Sequence, residues 1–485
     1  MNPSTALPTP PAAKASPLIN RNFALLFGGA AISYLGDMIF NITLILWVTQ
    51  TLAHGQPWAP LAVSGVLVAA ALPILLVGPL AGVFVDRWDK RRTMLAMDAL
   101  RAVLVALLAP LAASAFALPF WPGGRLSLAW QLGTVYAVVF LATCCTQFFS
   151  PARMALIGDI VPEERRTQAS GLLQTTMGLS FVIGPALAAP LFFAAGATWA
   201  LTINALSFAG SFLALLVIRP PALLAPPASA RLASVLDELG AGIGFFARSR
   251  VLMTLLVTGV IVMLGGGALN ALDVFFVTRN LHTPLSAYGA LEAIFGAGAL
   301  LGALLLSIFA RRIGAARTLW ASLLGIGLLL MIYARLTALA PALVVLFFVG
   351  VLNAGINIAL GPIVLHVTPR ALVGRVMAVL LPVMTLAQVL SIALAGYLAS
   401  MVLADFHASA LGQPLGPIDT IFLIAGALAA VGGLYAMLSL RRLRLAGELG
   451  TRATPTDHAP VATEEAEEAE EAEESAPAPS PLAAR

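Results

Sequence analysis

Ionisable side chains are scarce in this chain, and a few of them sit inside long apolar runs where a charge is costly. Asp37 falls in the run 22–50, roughly 22 Å along a helix that starts at Asn22, and Asn41 follows one turn later on the same side. An aspartate facing lipid at that depth is strongly unfavourable, so Asp37 is expected to face a cavity or another helix. Its chemistry is then either proton binding and cation recognition or structural hydrogen bonding. Asp273 and Glu292 occupy the runs 251–279 and 286–310. Helices running in opposite directions bring both acids into the outer half of a bilayer, roughly 32 Å from the inner start of one and roughly 9 Å from the outer start of the other. Two acids so placed suit a proton relay or contact with a cationic substrate; polar residues beside an aqueous vestibule are the plainer reading.

Other chemistry finds little support. Cys144 and Cys145 are adjacent in one apolar run and offer neither a disulfide framework nor metal-ligand spacing. The histidines (His54, His282, His366, His407, His458) include no pair one helical turn apart. No nucleophile-and-base set, phosphate-cradling glycine loop or nucleotide-binding domain is visible, so no catalytic residues, metal or cofactor are expected, and an enzyme or ATP-driven pump is disfavoured.

The elements that must position these residues follow from composition. The 485 residues are 60% hydrophobic and 10% charged, with a mean hydropathy of +0.94, whereas soluble domains carry about 25% charged residues. A helix crossing a hydrocarbon core of about 30 Å needs about 20 apolar residues. Twelve such runs are legible, near 22–50, 61–86, 93–118, 129–150, 166–194, 197–218, 251–279, 286–310, 315–336, 341–366, 372–403 and 418–440. Their continuity excludes a membrane barrel, whose strands alternate in polarity. The expected fold is therefore all-α and integral to the membrane, with twelve transmembrane helices in two six-helix bundles, 21–218 and 251–444. A connection over 219–250, with helical periodicity suited to an interface, separates them. Residues 1–20 read as a loose Pro/Ala-rich tail with no secretory signal, and 445–485, carrying "EEAEEAEEAEE", as a solvated acidic tail.

Lys and Arg concentrate on one side of this scheme: Arg87, Lys90, Arg91, Arg92, Arg165, Arg166, Arg311, Arg312, Arg370, Arg441 and others, against Arg125, Arg279 and Arg335 on the opposite side. By the positive-inside rule both termini are expected in the cytoplasm of a multi-pass plasma-membrane protein. The formal +4 charge then reflects topology and calls for no nucleic-acid partner. The expected partners are membrane lipids and a small-molecule substrate, with the chain acting as a monomer.

The two halves echo one another. "YLGDMIFNITLILWVTQTL" (34–52) lies over "MLGGGALNALDVFFVTRNL" (263–281), pairing Gly36 with Gly265 and Asn41 with Asn270; "GPLAGVFVDRWDKRRTML" pairs with "GALLLSIFARRIGAARTLW", and "DIVPEERRTQASG" with "HVTPRALVGRVMA". Repeated halves about a central site are a common arrangement for alternating access. The stretch "GVFVDRWDKRRT", with six charges in the seven positions 86–92, resembles the signature loop between helices 2 and 3 of the major facilitator superfamily. "NRNFALLFGGAAISYLGD", "SPARMALIGDIVPEERRTQASGL" and "GPALAA" resemble its branch of enterobactin-type siderophore exporters and macrolide-efflux proteins, of the transmembrane secretion effector type. The resemblance covers residues 20–445.

It implies the major facilitator fold, with Gly82 allowing close helix approach and Asp86 acting as a conformational latch toward helix 11. Arg87 and Arg91 would complete the charge network, or with Lys90 and Arg92 serve only to enforce topology. Asp98 and Arg101 share a helix face and suit a pair at the cytoplasmic end of helix 3, structural or joined to the latch. Gly265, Gly266 and Gly267 mark either a bend or close packing. Gly178, Gly184 and Pro185 partly match the family's antiporter signature, with Ala188 and Ala189 in place of a glycine pair. The middle of helix 4, "VVFLATCCTQFF", lacks the embedded Arg common in proton-coupled relatives, which shifts the burden of coupling to Asp37. The expected function is export of amphipathic drug-like or siderophore-like molecules by alternating access, driven by a proton gradient. Uniport, flipping of a lipid-like substrate, and a non-transporting sensor or assembly role are the alternatives.

Overall fold

The computed structural model describes residues 19–113, 126–219, 243–369, 372–406, 408–410 and 413–445. Nearly all of the two expected tails and of the connection 219–250 lies outside the described residues, apart from a short helix over 243–248. Eleven helical segments among the described residues are long and apolar enough to cross a membrane. In chain order the helices are α1 (Arg21–Trp47), α2 (Ala59–Leu76), α3 (Gly78–Val85), α4 (Lys90–Ala112), α5 (Leu128–Ile160), α6 (Arg166–Val217), α7 (Arg250–Arg279), α8 (Tyr288–Ile313), α9 (Ala315–Tyr333), α10 (Leu339–Val367), α11 (Val373–Tyr397) and α12 (Pro417–Leu445). A two-stranded hairpin, β1 (Ala408–Ala410) with β2 (Gln413–Leu415), precedes α12. The described residues are thus almost entirely helical, and the chain is a multi-pass membrane protein.

Helix α6 contains the reversal that the sequence places between 194 and 197. Its 52 residues would span roughly 78 Å if straight. Gly196 breaks it with φ 83° and ψ 168°, a conformation open to glycine alone at little cost. The packing shows the chain folding back there. A Cβ at Gly36 of α1 would meet Asn204 and Ser207, while one at Gly184 would meet Met38 of the same helix. Residues 184 and 204 therefore sit at one level, although a straight helix would part them by about 30 Å.

Two expected runs have different bounds. The second is interrupted at Val77, where Gly78 and Pro79 follow Pro73, so α3 continues α2 after a kink. The fourth does not stop at Ser150. Although Pro151 removes one backbone donor, α5 continues to Ile160 because Ala152, Leu156, Ile157 and Ile160 keep a buried stripe at helical spacing. Helix α7 runs unbroken through Gly265–Gly267. There a Cβ at Gly265 would press on the Ala425 carbonyl and one at Gly267 on Ser391, so close packing accounts for these two glycines, while one at Gly266 would meet open space.

The buried apolar groups show how the halves meet. One cluster, from Phe149, Leu156 and Leu173 to Leu215, fills the basic end of α1–α6. A separate one, from Leu252 and Leu319 to Leu440, fills the basic end of α7–α12. The largest cluster lies toward the opposite end and joins residues of both halves, among them Trp47, Val63, Ala189, Tyr288 and Ile392. Two antiparallel seams carry that junction. In one, Gly289 and Gly296 of α8 lie against the carbonyls of Pro185 and Phe181 of α6; in the other, Gly396 of α11 lies against Ser64 of α2. The Leu61 N–H also donates to Ser400 Oγ (3.1 Å). At the basic end, Gly82 and Gly374 would carry a Cβ into open space. The bundle is closed at the opposite end and parted at the basic one.

Candidate functional site

The charged stretch after α3 is consumed locally. Asp89 caps α4, its carboxylate accepting the Arg92 N–H (2.6 Å). Lys90 Nζ pairs with Asp159 at the end of α5 (2.6 Å). Arg91 donates from Nε to the Leu215 carbonyl (2.9 Å) and from Nη2 to that of Leu216 (2.7 Å), satisfying terminal acceptors of α6. Arg91 therefore fastens α4 to α6 within one half instead of entering a network with Asp86. Asp86 and Arg87 are exposed. Close helix approach at Gly82 is not made either, because the basic ends of the halves stand apart in this conformation.

Asp98 and Arg101 form the expected pair, but it is no surface clasp: the side chains are 0% and 3% exposed. Arg101 lies over the rings of Phe149 (4.5 Å) and Phe208 (4.4 Å), each from a different neighbouring helix. Ser211, one turn beyond Phe208, has its hydroxyl near the Asp98 carboxylate. Arg153, on the extended part of α5, stacks on Tyr34 at 5.0 Å. Asp37 is partly buried and feels the charges of Arg101, Asp98 and Arg153. Arg101 of α4 thus places a buried guanidinium inside this half, against the fourth span whose own middle carries none.

Between the halves lies a cavity of about 880 Å³, within the range of drug-sized sites. It reaches toward the basic end along Gln174, Leu304 and Asn357, and ends at Ile45, Pro185 and Tyr288 near the closed seam. Its walls are mainly apolar, with Asn41, Gln174, Asn270, Asn353 and Asn357 as amide groups and Glu292 as the acid. Asn270 turns its amide back to the Gly266 carbonyl (3.1 Å). Pro185 lines this cavity, while Gly184 packs on Met38. Glu292 has the Tyr288 hydroxyl within hydrogen-bonding reach. Asp273 lies behind it, 3% exposed, and accepts a 2.6 Å hydrogen bond from the Tyr333 hydroxyl. Phe276 and Phe422 flank that tyrosine, with ring centroids 4.6 and 6.0 Å from its own. Among the described residues no cluster of three or more His, Cys, Asp or Glu could hold a metal ion.

The structure therefore brings Asp37, Asp98 and Arg101 together in one half, and Asp273 and Glu292 in the other, with Asn41 and Asn270 on the shared cavity. Sequence reasoning missed Tyr288, Tyr333, Asn353 and Asn357, and placed Arg153 only among the charges at the cytoplasmic end of the fourth span, whereas it lies within α5 and stacks on Tyr34. Asn353 and Asn357 carried a signal, two amides one turn apart in an otherwise apolar run; Tyr333 carried none, because its partner is 60 residues away.

Comparison with known proteins agrees with this architecture. Residues 12–413 match the family described as transmembrane secretion effector. Macrolide efflux protein A of Streptococcus pyogenes is 26% identical over 298 residues, a match spanning 59% of this chain and 66% of that relative, just short of two-thirds. Multidrug efflux pump Tap of Mycolicibacterium fortuitum is 27% identical over 414 residues, 83% of this chain and 93% of the relative. Among solved structures, the nucleoside transporter NupG has a TM-score of 0.65 at 13% identity, covering 87% of this chain and 99% of its own. A bacterial homologue of the human lysosomal transporter Spinster, inward-facing and unoccupied, has a TM-score of 0.60 at 16% identity, covering 92% and 100%. These structural likenesses speak to the fold. With a family match over most of its length and a helical bundle of this form, the chain belongs to the transmembrane secretion effector family of major facilitator transporters.

Proposed function

We propose that this protein is a proton-coupled exporter of amphipathic, drug-like small molecules. Twelve spans, arranged as 21–218 and 251–444 with both termini in the cytoplasm, would alternate access to the central cavity. The observation that carries this reading is that cavity: about 880 Å³, apolar with a few amides and one acid, and reaching toward the basic end. By the positive-inside rule the basic end is cytoplasmic, so the cavity is poised to collect cargo from inside the cell. Efflux relatives support the direction. Reversal of Gly196 supports the count of twelve, since each arm of α6 is long enough to cross a bilayer.

The proton enters through the acids. Asp37 and Glu292 both reach internal cavities, and carboxylates held inside a membrane protein commonly mark proton or cation pathways. The test is efflux of cationic, macrolide and siderophore-like compounds from proteoliposomes, with and without an imposed pH gradient, for the native protein and Asp37→Asn. Gradient-driven efflux lost in the variant supports antiport through Asp37; efflux that ignores the gradient and survives the substitution rejects it.

A further inference from the structure

A second, smaller chamber lies inside the α1–α6 half. Its volume is about 310 Å³, and its lining includes Asp37, Arg101, Thr143, Thr146, Ser180 and Asn204. Water takes roughly 30 Å³ per molecule, so the space suits on the order of ten waters. The larger cavity, in contrast, has the capacity of a drug-sized site. Met38, Asn41 and Phe181 line both and form the neck between them.

Two observations mark the chamber as built for something polar and small. Asn204, fully buried, has an Nδ2 with no protein partner, and the buried Arg101 Nε is likewise unpartnered. Buried donors of this kind are ordinarily satisfied by ordered water. The charges also balance. Asp37 shares the chamber with Tyr34 of its own helix and Arg101 of α4, and lies within the electrostatic reach of Asp98 from α4 and Arg153 from α5, while α2 and α6 contribute uncharged groups such as Ala70, Ser180 and Asn204. Two carboxylates and two guanidinium groups formally cancel, and one added proton leaves a single positive charge beside the neck.

We infer that this transporter keeps its two ligands apart: cargo occupies the central cavity, and the coupling proton is exchanged at Asp37 within a hydrated side chamber behind the Met38–Asn41–Phe181 neck. The inference rests on the proton-coupled reading above and deepens it. Arg101, held by Asp98 and two aromatic rings, is a positioning residue that fixes the field at Asp37 and cannot swing into the cargo site. Proton and cargo then act on each other electrostatically through the neck, without competing for the same atoms.

The test fills the chamber and leaves the cavity unaltered, using Thr143→Phe, with Leu141→Phe as a control that adds bulk to the exposed face of the same helix, outside both cavities. The measurements are binding of radiolabelled erythromycin to the purified full chain at acidic and alkaline pH, and efflux with and without a pH gradient. Thr143→Phe should bind erythromycin within about two-fold of native, lose the pH dependence of that binding, and lose gradient stimulation of efflux. Leu141→Phe should behave as native. Binding weakened more than about tenfold at both pH values would place cargo in the chamber and overturn the inference, as would retained gradient stimulation or absence of saturable erythromycin binding to the native protein. If Thr143→Phe elutes as aggregate, Thr146→Leu carries the same comparison. The two ideas separate cleanly: gradient stimulation surviving in Asp37→Asn rejects proton coupling through Asp37 itself, whereas stimulation lost there but kept in Thr143→Phe rejects only the separate chamber.

Discussion

Replacing Arg101 with methionine would leave the Asp98 carboxylate, 0% exposed, without the guanidinium it pairs with, while keeping most of the apolar stem. Removing one partner of a buried pair costs roughly 3–5 kcal/mol, because the survivor's charge stays desolvated. Lost stacking over Phe149 and Phe208 adds about 1 kcal/mol or more. The expected loss of roughly 4–6 kcal/mol is a large part of the 5–15 kcal/mol that usually holds a fold together. Asp98→Asn should cost less, about 3 kcal/mol, since the remaining cation keeps both aromatic faces. The double variant removes both charges and should regain about 2–3 kcal/mol relative to the sum of the single losses. Equilibrium unfolding in mixed micelles, followed by tryptophan fluorescence, measures all four proteins. Single losses below about 1 kcal/mol, or effects additive within about 0.5 kcal/mol, would refute the reading of Asp98 and Arg101 as a coupled, desolvated ion pair.

Three further outcomes follow from the packing. Tyr333→Phe removes the hydroxyl that donates to buried Asp273 and should lower stability by about 1–3 kcal/mol in the same unfolding assay, with no change in the apparent size of the transport cavity. Gly396→Val places a side chain against Ser64 and should open the outer end, raising the labelling rate of a cysteine introduced at Ser400 relative to the same cysteine on the native background. Gly82→Leu meets open space here and should leave the thermal midpoint unchanged, yet it should reduce efflux severely if the basic ends close during the cycle; unaltered efflux would sink a gating role for this glycine.

Much of the fold was legible because lipid imposes a coarse rule: the apolar runs had to be helices, and their ends had to carry the charges. The departures arose where packing outvoted a local signal. Pro151 reads as a stop, yet the buried stripe from Ala152 to Ile160 carries the helix past it and brings Arg153 inside. The triple glycine of α7 reads as a hinge or a contact, and only the carbonyl of Ala425 and the side chain of Ser391 decide between them. The site was legible residue by residue but not as a constellation. Asp37, Asp98, Arg101, Asp273 and Glu292 stand out as charges in apolar sequence, while the division into a charged chamber and a larger cavity depends on which helices adjoin, information that period and composition do not contain.

The Leu61–Ser400 contact has a consequence for how the outer end opens. Helix α2 begins without a side-chain cap of its own, Pro60 has no N–H to offer, and the Leu61 amide is served by a hydroxyl from the other half of the molecule. Parting the halves strands that donor, and nearby Ser64 Oγ already lacks a protein partner. In the alternating-access cycle proposed above, solvent must therefore enter the seam as it separates, so each opening takes up water and each closing expels it. Osmotic stress from an excluded solute would then favour the dehydrated seam, making the activity of water itself an effector of the proposed switch in access.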